Sequence, residues 1–253
     1  KKSGGISSKL DNTISKKLEK LEKDVDIDSG NFAYNDEKQI SNFVYQTLKE
    51  ANNNISLCYG LKGLNSVATS RMAPTGPTYK FKDPEYAKRL LLPNLWNYSS
   101  KLASIIENIK KSKGPVFIYG YYVYSGTIPL AMALEMNGYQ RYKMHSNPLL
   151  QSPYKNGEEN GDYIIYTGDS KLSTYSQEYL DLRDKMVNEK RVKVFIGSGT
   201  ASEGLNLFGY REVHILEPWH HINKIEQSIG RVIRQGSHNH LPPRERNVSV
   251  YLY

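Results

Sequence analysis

Cysteine is all but absent. Cys58 is the only one among 253 residues, which excludes an internal disulfide framework and any zinc site built mainly from thiolates, and points to a reducing, intracellular compartment. Long apolar runs are missing as well. No stretch approaches the roughly 20 residues of a membrane span, and no charged-then-apolar leader opens the chain, so no membrane partner is expected. Acidic residues are too few to balance the basic ones, 26 against 34. The resulting net charge of +8 favours an anionic partner, of which nucleic acid is the commonest. Any Gly-Lys pair is also lacking, and with it the Gly-x-x-x-x-Gly-Lys-Ser/Thr loop that cradles nucleotide phosphates.

What is present suffices for a core. A hydrophobic content of 38% in a chain of this length supports one large or two modest domains. The 20 tyrosines offer stacking surface for bases as well as ordinary core material. His220-His221, His238 and His240 carry no metal expectation, because adjacent histidines on one element point apart and no carboxylate stands at ligand spacing. Asp36-Glu37 has the letters of an Asp-Glu magnesium box, but no apolar strand precedes it, and a polar helix start is the expected reading.

The chain reads as two stretches, 1–93 and 94–253, and as a piece of a longer protein. Residues 1–28 are rich in Lys, Glu, Ser and Asp, with Leu10, Ile14, Leu18 and Leu21 at helical spacing; a marginal amphipathic helix or a disordered linker fits. A helix is expected from Asp36 to Asn52, then a Gly-, Pro- and Thr-rich loop from Lys62 to Pro84. This makes the first stretch a mainly helical, partly irregular extension. After Pro93 the pattern sharpens. A helix from Leu95 to about Lys111 carries Leu102, Ile105, Ile106 and Ile109, and Gly114-Pro115 stops it. Strands are expected at 116–119, 163–166, 192–196, 213–216 and 248–253. Helices are expected at 128–137, closed by Gly138, and at about 177–189 and 222–235. Strands alternating with helices of this length indicate an α/β fold, a parallel sheet with helices on both faces.

Ligands of such sheets bind beyond the carboxyl ends of the strands. The loops that qualify offer Gly120-Tyr121-Tyr122, Thr167-Gly168-Asp169, and Gly197-Ser198-Gly199-Thr200 leading into Glu203-Gly204-Leu205-Asn206. Exposed amides and hydroxyls of this kind hold phosphates without reading base identity. On the last helix Gln227, Gly230, Arg231 and Arg234 fall within about 100° of one another, opposite Ile222, Ile225, Ile229, Val232 and Ile233. Guanidinium is always charged and binds phosphate in bidentate fashion, which suits charge building on a transferring phosphoryl group. A Gly in a helix interior costs about 1 kcal/mol against Ala, so Gly230 suggests that something approaches the backbone closely there.

These residues carry a specific resemblance. Val-Phe-Ile-Gly-Ser-Gly-Thr-Ala-Ser-Glu-Gly-Leu-Asn-Leu and Glu-Pro-Trp-His-His-Ile-Asn-Lys-Ile-Glu-Gln-Ser-Ile-Gly-Arg-Val-Ile-Arg resemble motifs V and VI of superfamily 2 helicases and translocases. Val116 to Gly126 resembles motif IV, and Tyr163 to Asp169 the nucleic-acid-contacting segment after it. The wording is most similar to the branch found in large cytoplasmic DNA viruses, including poxvirus early transcription factor small subunits and their nucleoside triphosphatase relatives. Residues 95–253 carry the resemblance well and 30–60 loosely, where Gln39 to Tyr45 echoes the lead-in to the lobe.

The resemblance implies a C-terminal RecA-like lobe, residues 94–253, of an ATP-dependent helicase or translocase. Arg231 and Arg234 match the motif VI arginines that reach the ATP γ-phosphate, with Gln227 their neighbour. Gly204 and Asn206 match motif V positions near the nucleotide, although many relatives carry Asp in place of Asn206. Tyr121, Thr167, Gly168, Ser198 and Gly199 fall where the nucleic-acid backbone is touched. ATP and Mg²⁺ would be held mainly by an N-terminal RecA-like lobe outside this chain, which alone should not turn over. DNA or RNA, that first lobe, and RNA polymerase or other transcription factors are the implied partners; a viral source would place the protein in host cytoplasm or virion. Two other readings stay open: a non-catalytic RecA-like module binding nucleic acid or a polymerase partner, and a phosphate-handling α/β enzyme complete in itself.

Overall fold

The computed structural model describes residues 35–73, 76–142, 148–153, 160–173, 192–198, 207–217 and 222–253. The helices expected at 177–189 and near the N-terminus lie outside the described residues. Residues 39–253 form one unit; residues 1–38 form another, described only at 35–38.

In chain order, helix α1 (Asn35–Asn42) leads to α2 (Gly60–Val67) and a hairpin of β1 (Ala68–Ala73) and β2 (Gly76–Phe81). Short α3 (Leu92–Leu95) and α4 (Ser100–Lys111) precede β3 (Val116–Tyr119), α5 (Ile128–Met136) and β4 (Tyr139–Arg141). Then come β5 (Gly161–Tyr166), β6 (Val192–Gly197), β7 (Glu212–Ile215), α6 (Ile222–Gly230) and β8 (Ser249–Leu252). Six strands form one sheet in the order β4-β5-β6-β3-β7-β8, and every pairing is parallel. This is the expected α/β architecture. Its central strands are buried on both faces, as Val116 to Tyr119 and Val194 to Ile196 require, and the apolar runs in the sequence reflect that.

Two apolar clusters fill the two sides of the sheet. The larger joins Ile105, Ile106 and Ile109 of α4, most of α5, and Val116, Ile118, Val194 and Ile196; the smaller joins Phe117, Phe195, Ile215 and Val232. Helix α5 is buried along its whole length, including Glu135. That carboxylate accepts the Leu149 and Leu150 amides, both at 2.7 Å, and the Tyr163 hydroxyl at 2.6 Å. Gly138, with φ of +86°, ends the helix in the left-handed conformation that favours Gly.

Several expectations need correction. The helix from Asp36 stops at Asn42 rather than Asn52, because Phe43 and Tyr45 turn into the core and the Tyr45 amide donates to Cys58 O at 2.8 Å. The loop expected from Lys62 to Pro84 contains most of α2 and the hairpin; β2 also bonds to 149–151 through Tyr79. Thus the stretch read as connecting material contributes Leu64, Tyr79, Phe81 and Leu90 to the larger core cluster. The helix from Leu95 is split: Ser99 accepts the Leu102 amide at 3.0 Å as an N-cap, and α4 starts at Ser100. Most consequential, α6 ends at Gly230 rather than Gln235, so Arg231 and Arg234 sit on a turn beyond the helix. Ile233, placed by the periodicity on the apolar side, is half exposed, while Val232 is fully buried.

Candidate nucleic-acid interface and arginine turn

The sheet brings four strand ends into one row. Tyr166 pairs with Gly197, Gly197 with Tyr119, and Tyr119 with Ile215. At about 4.8 Å between strands, four departing loops share an edge roughly 15 Å wide. The chain leaves β3 toward β4 on one side and β6 toward β7 on the other, so the β6–β3 boundary is a topological switch point.

A buried carboxylate ties this edge together. Glu217, two residues beyond β7, accepts the Tyr121 amide at 2.7 Å, the Tyr122 amide, and the side-chain amide of Asn42 at the end of α1. Lys101 Nζ lies 3.2 Å from both Asn42 Oδ1 and Leu216 O. Burial pushes the Glu217 carboxyl up to about 7, outweighing the opposing pull of those donors and of the Lys101 charge. Burial likewise lowers the Lys101 ammonium. Gly126 leaves room for the carboxylate: a Cβ there would come within 2.8 Å of Leu216 Cδ2 and 3.1 Å of Glu217 Oε1. The loop of Tyr121 to Thr127, which closes in a π-turn, is fixed further by Tyr45 Oη donating to Tyr124 O at 2.6 Å. Ser125 Oγ accepts the Gly60 amide at 2.8 Å and donates to Gln39 Oε1 at 2.8 Å.

The expected phosphate-holding groups are differently disposed. Thr167 and Ser198 are buried rather than exposed. The Thr167 amide donates to Ser173 Oγ at 2.8 Å, the Ser198 amide to Tyr166 O at 3.0 Å, and the Tyr121 amide to Glu217. Loops rooted this deeply must satisfy their own amides, which leaves fewer for a ligand. Exposed Gly168 and the half-buried rings of Tyr121 and Tyr122, edge to face at 5.1 Å, remain at the surface. Gly199, Gly204 and Asn206 lie outside the described residues.

Arg231 and Arg234 occupy a second place. Their turn bonds to the segment entering β7, where the Leu207 amide donates to Arg231 O and the Gly209 amide to Ser237 O, both at 3.1 Å. Gln227 and Arg234 are exposed and Arg231 half-buried. Arg234 Nε donates to Gly230 O at 3.1 Å. Nothing lies within 4 Å of a Cβ placed on Gly230, so no part of the described chain makes the close approach its sequence suggested. The arginines meet no phosphate cradle within their own sequence. They suit a phosphate presented from outside.

No protein-family model matches the chain. It is 32% identical over 182 residues to the termination factor NPH-I homolog of African swine fever virus, covering 62% of this chain and 26% of that protein. It is 29% identical over 219 residues to a protein of Acanthamoeba polyphaga mimivirus whose name assigns it provisionally to the ATP-dependent RNA helicases, covering 85% of this chain and 31% of that one. The chain is a homologue of these viral proteins. It spans less than a third of the length of either relative. Among solved structures, the C-terminal part of the Fun30 ATPase domain aligns with a TM-score of 0.44 at 18% identity, over 62% of this chain and 41% of that one.

The strands that carry the loop row were readable in the sequence, whereas the groups that fasten the loops were not. Glu217 had one signal, a carboxylate directly after the apolar strand Val213 to Leu216. Ser237 and His238 had none, since Ser and His in a polar stretch look like any turn. His238 bonds Ser237 Oγ at 2.7 Å and Tyr210 O at 2.8 Å. Among the described residues, no group of three or more His, Cys, Asp or Glu could hold a metal ion, and no helix is long and apolar enough to cross a membrane.

Proposed function

We propose that this chain is the second motor lobe, spanning about 94–253, of a nucleic-acid-dependent ATPase of the helicase and translocase class acting in viral transcription. Arg231 and Arg234, with Gln227 beside them, face the phosphates of ATP held with Mg²⁺ on a separate RecA-like lobe. When bound, the nucleotide supplies the phosphoryl group whose departing charge an arginine can stabilise, commonly worth 10³ or more in rate. Gly204 and Asn206 line the nucleotide side. Tyr121, Thr167, Gly168, Ser198 and Gly199 are the positions we assign to the backbone of DNA or RNA. A polymerase or another transcription factor is a further partner of the whole assembly.

The observation that supports this most strongly is the separation of the two surfaces. The loop row stands at the carboxyl ends of β5, β6, β3 and β7, while the arginine turn bonds to the segment entering β7 at its other end. A lobe that touches nucleic acid with one surface and nucleotide with another can couple the two, since ATP between lobes favours closure by its differential affinity for the closed state. The test is nucleic-acid-stimulated ATP hydrolysis by the protein in which this lobe meets its nucleotide-binding partner. Arg231→Ala is expected to abolish stimulation, and an undiminished rate would make the arginine assignment wrong.

A further inference from the structure

The arginine turn is held largely through its backbone carbonyls. Past Gly230, the carbonyls that a continuing helix would satisfy are met from elsewhere. Arg231 O accepts from the Leu207 amide, and Ser237 Oγ lies 3.1 Å from Val232 O and 2.9 Å from Arg234 O. The Ser237 amide also donates to Arg234 O at 3.1 Å. Ser237 is only 1% exposed, so water is a poor substitute for these bonds.

On its far side the same hydroxyl meets His238 Nδ1 at 2.7 Å, and His238 Nε2 lies 2.8 Å from Tyr210 O. A carbonyl can only accept, so Nε2 carries a hydrogen; in the neutral ring Nδ1 then accepts the one hydrogen of the Ser237 hydroxyl. Arg234 O keeps the Ser237 amide as its donor, and the ring spans from the turn to the segment entering β7. The Gly209 amide closes the same connection by donating to Ser237 O. One hydroxyl and one imidazole therefore connect the ends of two segments that are distant in sequence.

We infer that Ser237 and His238 are positioning residues for Arg231 and Arg234, fixing the turn from which both guanidiniums project. The inference rests on the reading of those arginines as phosphate-directed. Placement matters to such groups: a misplacement of about 1 Å can cost on the order of 10²-fold in rate. Arg234 depends on the turn doubly, since its Nε hydrogen bond to Gly230 O spans it.

Two readouts test this. Amide hydrogen exchange at 231–234 is followed in the chain itself, and kcat and KM for ATP are measured in the protein in which the lobes meet. Ser237→Ala is expected to speed exchange at least roughly tenfold. It should also lower kcat by about 10²-fold, with KM for ATP changing by less than about twofold. Ser237→Thr, which keeps the hydroxyl, should restore both. His238→Phe retains an aromatic ring at a half-buried position without either nitrogen and should reproduce the Ala variant, so the test survives if Ser237→Ala does not fold. Unchanged exchange in Ser237→Ala and His238→Phe overturns the inference, as does faster exchange with unchanged kcat while Arg231→Ala is inactive. If Arg231→Ala itself retains full turnover, the phosphate reading fails and takes the positioning role with it, whatever exchange shows.

Discussion

The loop after β3 and the turn after α6 are both immobilised irregular segments, yet they are built in opposite ways. The first is fastened by a buried carboxyl group: Glu217 accepts the amides of Tyr121 and Tyr122 and the side chain of Asn42, with Lys101 nearby. The second is fastened by neutral groups acting on carbonyls, the Ser237 and Leu207 amides, while Arg231 is half-buried and Arg234 exposed. A buried carboxyl group with several donors on it makes stability depend on the tie. A side chain at the surface leaves stability nearly indifferent to it.

That contrast should break cleanly under substitution. Arg231→Ala is expected to lower nucleic-acid-stimulated turnover by about 10³-fold. The same change should move urea unfolding of the chain by no more than about 0.5 kcal/mol, as for most surface substitutions. Glu217→Ala should do the reverse at the level of the fold. It leaves two backbone amides and the Asn42 side chain without their buried acceptor, at roughly 1–3 kcal/mol each, so a loss of at least about 3 kcal/mol is expected. If Arg231→Ala destabilised the chain as much as Glu217→Ala, the distinction between the two segments would vanish.

The pH dependence sharpens the same comparison at a smaller scale. Burial raises the carboxyls of Glu217 and Glu135 from 4.5 to about 7, the protonated form being cheaper to bury. The folded state then holds protons that the unfolded state releases. The stability these groups contribute is fully present below 4.5 and is lost as pH rises through about 7. A shift of this size corresponds to roughly 3 kcal/mol per group at most. Urea unfolding from pH 5 to 8 should therefore show stability falling toward alkaline pH. Glu217→Gln and Glu135→Gln should each flatten part of that slope. Arg231→Ala removes neither carboxyl and should leave that slope unaltered.

The sequence made the frame readable and hid the fastenings. Val116 to Tyr119 and Val194 to Ile196 are short apolar runs because strands buried on both faces have little polar side to show, and both strands appear where expected. Helix α4 was legible through Leu102, Ile105, Ile106 and Ile109, but its start was not, because the N-cap Ser99 looks like any other Ser until its neighbours cease to be helical. The hairpin was hidden by Gly76 and Pro77, which suggest a loop and instead begin β2. At the arginine turn, a helical period continues through Ile233 although the helix does not. Periodicity records which residues could share a face, whereas Ser237 and Leu207 decide where the carbonyls go. Long-range ties such as Asn42 to Glu217, 175 residues apart, leave no local pattern at all.

Gly230 carries the finest test. In this chain a Cβ at that position meets nothing within 4 Å, and the residue closes α6 without a positive φ. Gly230→Ala should therefore stabilise the chain slightly, by about 0.5–1 kcal/mol, because Ala loses less conformational freedom on entering a helix. Unfolding of the chain by urea measures that gain. Stimulated ATP hydrolysis by the protein with both lobes measures the other side. If another lobe or its nucleotide approaches the backbone at this point, the more stable variant should turn over more slowly, by roughly tenfold, the equivalent of about 1.4 kcal/mol of transition-state stabilisation. Equal turnover would mean that the small residue serves only to end the helix one position before Arg231, and that the space above it stays open in the working protein.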